Sequence, residues 1–132
     1  MSNIISFAMV GTNDLKKAGS FYDLVLDQIG LKRVTTVEDR YIGYGHPDNA
    51  QNVKFYVTRP YNKQDATIGN GTMIALTAKN KDAVNRFHEV ALKNGASDEG
   101  IPGDRSDGNY YGYIRDLDGN KIAARCVIEI NK

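Results

Sequence analysis

The chain has 132 residues, and its 17 basic and 16 acidic side chains leave a formal net charge of +1. At this length we expect one domain covering residues 1–132, and the near-neutral charge without a basic stripe argues against nucleic acid as a partner. The single Cys excludes an internal disulfide and fits a reducing compartment. No apolar run approaches the ~20 residues of a membrane span, and the N-terminus lacks the pattern of a secretory signal. We therefore expect a cytoplasmic protein with no membrane partner.

The first part of the chain predicts a strand, a helix and three further strands. Apolar residues recur at three- and four-residue spacing from 14 to 29, as on the buried face of a helix. Thr12 or Asn13 would cap this helix, and Gly30 would end it. Short apolar or alternating runs on both sides are typical of strands. The predicted strands are residues 4–11, 31–37, 40–44 and 53–58, and residues 59–71 are a predicted linker.

The same order of elements then occurs a second time. Residues 71–78, 97–100, 110–115 and 121–128 are predicted strands, 82–94 a helix and 101–108 a loop. An offset of 66 residues aligns the two helices, with Phe21 over Phe87, and places Phe7 over Met73. This repeat predicts two copies of one βαβββ module, about 1–60 and 70–132, in an α+β fold.

The segment from Arg115 to Cys126 predicts a strand end, a tight turn at Asp118-Gly119 and a final strand. Its sequence, Arg-Asp-Leu-Asp-Gly-Asn-Lys-Ile-Ala-Ala-Arg-Cys, resembles the closing hairpin of the vicinal-oxygen-chelate superfamily of glyoxalases, bleomycin-resistance proteins and extradiol dioxygenases. Residues 6–15, 71–76 and 83–88 resemble other elements of that family. The resemblance implies two tandem βαβββ modules that form an open, curved half-barrel sheet around a shared cavity, and a homodimer.

The family holds a divalent metal ion on His, Glu or Gln side chains in this cavity. Matched residue by residue, the resemblance places three of the ligand positions at Phe7, Met73 and Ala123. None of these side chains is a ligand for a hard or borderline cation. His46, in a predicted loop, and His88, in the second helix, lack a ligand spacing. We therefore expect neither a metal ion nor another cofactor.

The same three positions define an expected ligand pocket. If they point into the cavity, the two-residue period of a strand directs Met9 and Arg125 the same way. The predicted pocket residues are Phe7, Met9, Tyr44, Tyr56, Met73, Tyr110, Ala123 and Arg125. An apolar and aromatic pocket with a cation suits a small organic ligand that is anionic or aromatic.

Three functions are compatible with these features. The first is a metal-free small-molecule-binding protein, comparable to the drug-sequestering bleomycin-resistance proteins. The alternative is a lyase or dioxygenase of the glyoxalase type, with a displaced metal site or a metal-free mechanism. The third is a regulatory or structural partner-binding module whose cavity is filled by its own side chains. No Ser-His-Asp or Cys-His arrangement is evident that would favour nucleophilic catalysis.

Overall fold

The computed structural model describes residues 4–128, in which two βαβββ modules follow one another. Module one consists of β1 (Ala8–Gly11), α1 (Leu15–Asp27), β2 (Lys32–Val37), β3 (Tyr41–Gly45) and β4 (Val53–Thr58). Module two consists of β5 (Ile74–Thr77), α2 (Lys81–Lys93), β6 (Ser97–Asp104), β7 (Tyr110–Arg115) and β8 (Lys121–Cys126). The predicted α+β class and tandem modules are confirmed.

Each module forms a four-stranded mixed sheet. The strand orders are β1-β4-β3-β2 and β5-β8-β7-β6. The β1–β4 and β5–β8 pairs are parallel, and the other pairs are antiparallel. A helix in each module supplies the long connection after its first strand that parallel pairing requires. The two sheets stay separate over the described residues and do not close into a barrel.

The internal repeat extends to the ends of the elements. The 66-residue offset carries β1 onto β5 and α1 onto α2 without any shift. The predicted N-cap of α1 was wrong, because Asp14 caps the helix by accepting a hydrogen bond from the Lys17 N–H. Thr12 instead accepts from the Asp14 N–H. Asn80, the equivalent of Asp14, caps α2 in the same way.

One hydrophobic core joins the two modules. Both helices bury their apolar faces in it, and α1 packs against α2. Each helix also covers one face of its own sheet. The opposite face of each sheet looks away from this core, and we call it the open face. Over residues 4–128, no helix is long and apolar enough to cross a membrane.

A polar cluster around Asp116 also holds the modules together. The buried Asp116 carboxylate accepts hydrogen bonds from the Tyr22 hydroxyl at 2.5 Å and from the N–H groups of Asp118 and Asn120 at 2.9 Å. The Asn120 side chain donates to the Gly11 carbonyl at the end of β1. Burial, and then the Asp116 charge, raise the pKa of Tyr22 well above its ordinary value. The closing hairpin is thereby fixed to module one.

Strand β6 extends into residues that were predicted as a loop. It continues to Asp104, with register shifts on either side of Gly100. The prediction of a loop over 101–108 was wrong for 101–104, because an edge strand accommodates Pro102 and irregular pairing near Gly103. The first strand of module one is shorter than predicted, because β1 begins at Ala8 and not at residue 4.

Candidate functional site

The open face of module one carries apolar and aromatic side chains. Phe7 and Met9 are 51% and 48% exposed. The Phe7 ring stands edge-on to Tyr56, with 4.9 Å between the ring centroids, and Tyr41 stands edge-on to Tyr56 at 5.5 Å. Met9 is the register partner of Tyr56 in the β1–β4 pair. Three of the predicted pocket residues, Phe7, Met9 and Tyr56, therefore lie together on one face.

A groove of about 870 Å³ begins at this face and continues beneath the linker. Met9 and Tyr41 line it from the sheet, Asp39 and Arg40 from the β2–β3 turn, and residues 59–61 and 63–65 from the linker. These residues were predicted only as a linker, and nothing in the sequence indicated the groove.

The open face of module two carries tyrosines and cations. Tyr111 and Tyr113 are stacked, with 5.5 Å between the ring centroids and 9° between the ring planes. The guanidinium carbon of Arg125 lies 5.7 Å from the centroid of Tyr111. The charged groups of Arg105 and Lys121 lie 5.2 and 5.4 Å from the centroid of Tyr113. Of these five residues only Arg125 belongs to the predicted pocket, although the alternation of β7 points both tyrosines to the same face.

The Arg125 guanidinium is incompletely hydrogen-bonded. Its Nε atom is buried and has no hydrogen-bond partner among residues 4–128. The neighbouring Tyr111 hydroxyl donates to Asp107 at 2.6 Å, which raises the pKa of Tyr111 and lowers the pKa of Asp107. Glu99, an acidic residue of β6, pairs with Arg115, with 3.4 Å between its Oε1 atom and Arg115 Nε. Among residues 4–128, no ion pair includes Arg125, whose guanidinium lies over the Tyr111 ring.

Two of the predicted pocket residues lie on the helix-covered faces instead. Tyr44 is fully buried and donates to Asp23 at 2.9 Å, and burial raises its pKa. Tyr110 donates to Asn85 of α2 at 2.7 Å. The reason is the period of the strand: Tyr44 is three positions from Tyr41, and an odd spacing puts two side chains on opposite faces.

The positions that the resemblance assigns to metal ligands do not fit a metal ion. Phe7 and Met73 are partly exposed and Ala123 is fully buried, and none of the three has an N or O donor in its side chain. Across residues 4–128, no three His, Cys, Asp or Glu side chains form a group that could hold a metal ion.

The two histidines do not form a site either. His46 is exposed in the loop between β3 and β4. His88 is buried, and its Nε2 atom lies 2.9 Å from an Asp98 carboxylate oxygen. Asp98 also accepts a hydrogen bond from the Gly100 N–H. This pair connects α2 to the edge strand β6.

Over residues 4–128, the groove described above is not shared by the two open faces of one chain. The groove of about 870 Å³ is formed by module one and the linker alone. Met73 is 41% exposed, and Ala123 and Arg125 lie opposite Ala75 and Thr77 in the β5–β8 pair of the other sheet. The structure thus places the predicted pocket residues in two groups, one on each module.

Paired βαβββ modules, each with one helix-covered face and one open face, define a class of half-barrel proteins. Residues 4–124 match the model of the Glyoxalase/Bleomycin resistance protein/Dioxygenase superfamily, and the chain belongs to that superfamily. The family predicted from the closing hairpin is confirmed. A glyoxalase/bleomycin resistance protein from Albidiferax ferrireducens T118 has 35% sequence identity and a TM-score of 0.86, over 96% of this chain and 100% of its own.

Two solved structures at lower identity share the fold. A lactoylglutathione lyase from Agrobacterium tumefaciens is 17% identical, with a TM-score of 0.67 over 96% of each chain. The fosfomycin resistance protein FosX from Mesorhizobium loti is 15% identical, with a TM-score of 0.64 over 97% of this chain and 95% of its own. A search among curated proteins gives no match.

Proposed function

We propose that the protein binds a small organic anion on the open face of module two, without a metal ion. The observation that carries this proposal is the cluster of three cations, Arg105, Lys121 and Arg125, against the stacked rings of Tyr111 and Tyr113. None of the ion pairs among residues 4–128 includes Arg105 or Arg125. A ligand carboxylate or phosphonate could engage a guanidinium group of this cluster through two parallel hydrogen bonds.

The surroundings of Arg125 favour a ligand that is also planar. Tyr111 and Tyr113 present stacked aromatic rings beside the guanidinium. Ala75 and Thr77 of the adjacent strand are small and exposed, which leaves room over that part of the sheet. The names of the superfamily's relatives refer to small molecules, bleomycin and fosfomycin among them. A ligand with an acidic group and a ring meets each of these features.

We propose in addition that a second copy of the chain completes the site. Phe7, Met9 and Met73 are between 41% and 51% exposed, on open faces that no element of the same chain covers among the described residues. Exposed apolar surface of this kind marks interaction sites. In a two-fold dimer, the same contact forms twice, and module one of each chain can cover module two of its partner.

A thermal-shift panel tests this function. Protein stripped with a chelator is heated with 2-naphthoate, benzoate and their neutral alcohol counterparts. A ligand that binds the native state raises the melting temperature, so the acids are expected to stabilise the protein and the alcohols to do so much less. The proposal is contradicted if no acid stabilises the protein, or if stabilisation requires an added divalent metal, which would favour a metal-dependent lyase or dioxygenase.

A further inference from the structure

The groove of module one is a preformed cavity to which Arg125 of the same chain does not contribute. Its volume of about 870 Å³ falls within the roughly 300–1,000 Å³ of small-molecule sites. Met9 and Tyr41 give it an apolar floor that continues into the open face. None of its lining residues belongs to module two, so within one chain it is separate from the surroundings of Arg125.

The linker forms a fixed wall of this groove. At its start, the Arg59 N–H donates to the Arg40 carbonyl at 2.9 Å. At its end, Asn13 accepts from the Ala66 N–H at 2.7 Å and donates to the Ala66 carbonyl at 3.2 Å. Between these points Lys63 adopts φ 65°, a left-handed conformation uncommon for lysine. Because the wall is held at both ends, little ordering is required when a ligand binds.

Three cations line the groove, from two segments of the chain. Arg40 lies in the β2–β3 turn, and Arg59 and Lys63 lie in the linker. Tyr41 is opposite Thr58 in the β3–β4 pair, and one further step in that register places Arg40 opposite Arg59. Like charges directly opposite one another are unfavourable unless something neutralises them.

Carboxylates of the protein do not neutralise these cations. None of the ion pairs found among residues 4–128 includes Arg40, Arg59 or Lys63. Asp39 and Asp65 line the same groove but form no ion pair with them. The aspartates also limit the net charge of the groove, which disfavours an extended polyanion and leaves room for one compact anionic group.

We propose that this groove binds a phosphate monoester of an aromatic or apolar molecule. The phosphate lies between Arg40 and Arg59, whose planar guanidinium groups match phosphate oxygens, and Lys63 supplies a third positive charge. The apolar body lies on Met9 and Tyr41. With Asp39 and Asp65 also in the lining, the groove keeps a net positive charge, which one compact anionic group would neutralise while its apolar body covers the floor.

Isothermal titration calorimetry with 1-naphthyl phosphate tests the proposal, with inorganic phosphate and 1-naphthol as the two fragments. The complete molecule is expected to bind at least about tenfold more tightly than either fragment, because it alone contacts both the cations and the floor. Arg59→Gln and Lys63→Gln should each weaken binding by roughly tenfold or more, the usual effect of losing a charge-assisted hydrogen bond. Lys79→Gln, an exposed cation outside the groove, is the matched control and should leave the affinity unchanged.

The same titration on Arg125→Gln separates the two proposed sites. Binding of 1-naphthyl phosphate within about twofold of the unmodified protein supports an independent groove. The groove proposal is overturned if Arg125→Gln weakens binding while Arg59→Gln does not, if Lys79→Gln is as harmful as Lys63→Gln, or if inorganic phosphate binds as tightly as the complete molecule. If 2-naphthoate does not bind near Arg125, the proposed function of module two fails, but the groove proposal is still decided by the titrations with 1-naphthyl phosphate.

Discussion

Replacing Tyr22 with Phe removes a single hydrogen bond from the cluster that joins the modules. Tyr22 is 1% exposed, and its hydroxyl donates to Asp116 at 2.5 Å. The change removes only the hydroxyl oxygen, so the loss of packing is small. Hydrogen bonds to charged groups contribute about 1.5–3 kcal/mol. Because Asp116 keeps its bonds from the N–H groups of Asp118 and Asn120, we expect Tyr22→Phe to lower the free energy of unfolding by about 1.5–3 kcal/mol.

Urea denaturation at pH 7 measures this change, at one fixed protein concentration because association would affect the midpoint. Tyr61→Phe is the matched control, since Tyr61 is 92% exposed, and surface substitutions usually stay within about 0.5 kcal/mol. If Tyr22→Phe is as stable as Tyr61→Phe, the Tyr22–Asp116 bond does not stabilise the junction, and packing of α1 on α2 accounts for it instead.

Three further expectations concern metal content, assembly and pH. Protein purified without a His tag should hold no stoichiometric Zn, Ni, Mn or Fe by elemental analysis, since Phe7, Met73 and Ala123 provide no donors; one chelator-removable equivalent needed for activity would contradict this. Light scattering at micromolar concentration should give the mass of a homodimer, and a monomer mass would count against the shared site. The hydrogen bond with His88 lowers the pKa of Asp98 below its ordinary value of 3.8. Its stabilising effect is present above that value and is lost as the pH falls through the folded-state pKa. The stability difference between the unmodified protein and Asp98→Asn should therefore vanish in acid, and a difference that increases would refute the assignment.

Hydrophobic periodicity was sufficient to predict most of the fold. The bounds of β4 and β7 agree with the predicted strands to the residue, and both helices agree within two residues at each end. In these elements the buried side chains follow the helical or strand period, because each element has one face on the shared core. Strand β6 was partly missed because it is an edge strand whose Pro and Gly residues obscure the alternation.

Less of the candidate site than of the fold could be predicted from the sequence. Strand alternation and the family resemblance placed Phe7, Met9 and Arg125 on the open faces, and Tyr56 was a further candidate. In β3, Tyr41 lies on the open face and Tyr44 on the helix-covered face. Counting the strand alternation from Tyr41 would therefore have given the correct faces. The groove could not be predicted, because it depends on contacts between residues far apart in the chain, such as Asn13 with Ala66, that leave no local pattern.

The central claim, that module two binds an organic anion without a metal ion, is tested most directly by calorimetric titration of 2-naphthoate into chelator-treated protein and its Arg125→Gln variant. The unmodified protein should bind, and the variant should bind more weakly by about 1.5–3 kcal/mol, the range for a charge-assisted hydrogen bond. Arg86→Gln, an exposed arginine on α2, should bind like the unmodified protein. Equal affinities for the unmodified protein and Arg125→Gln would contradict the account.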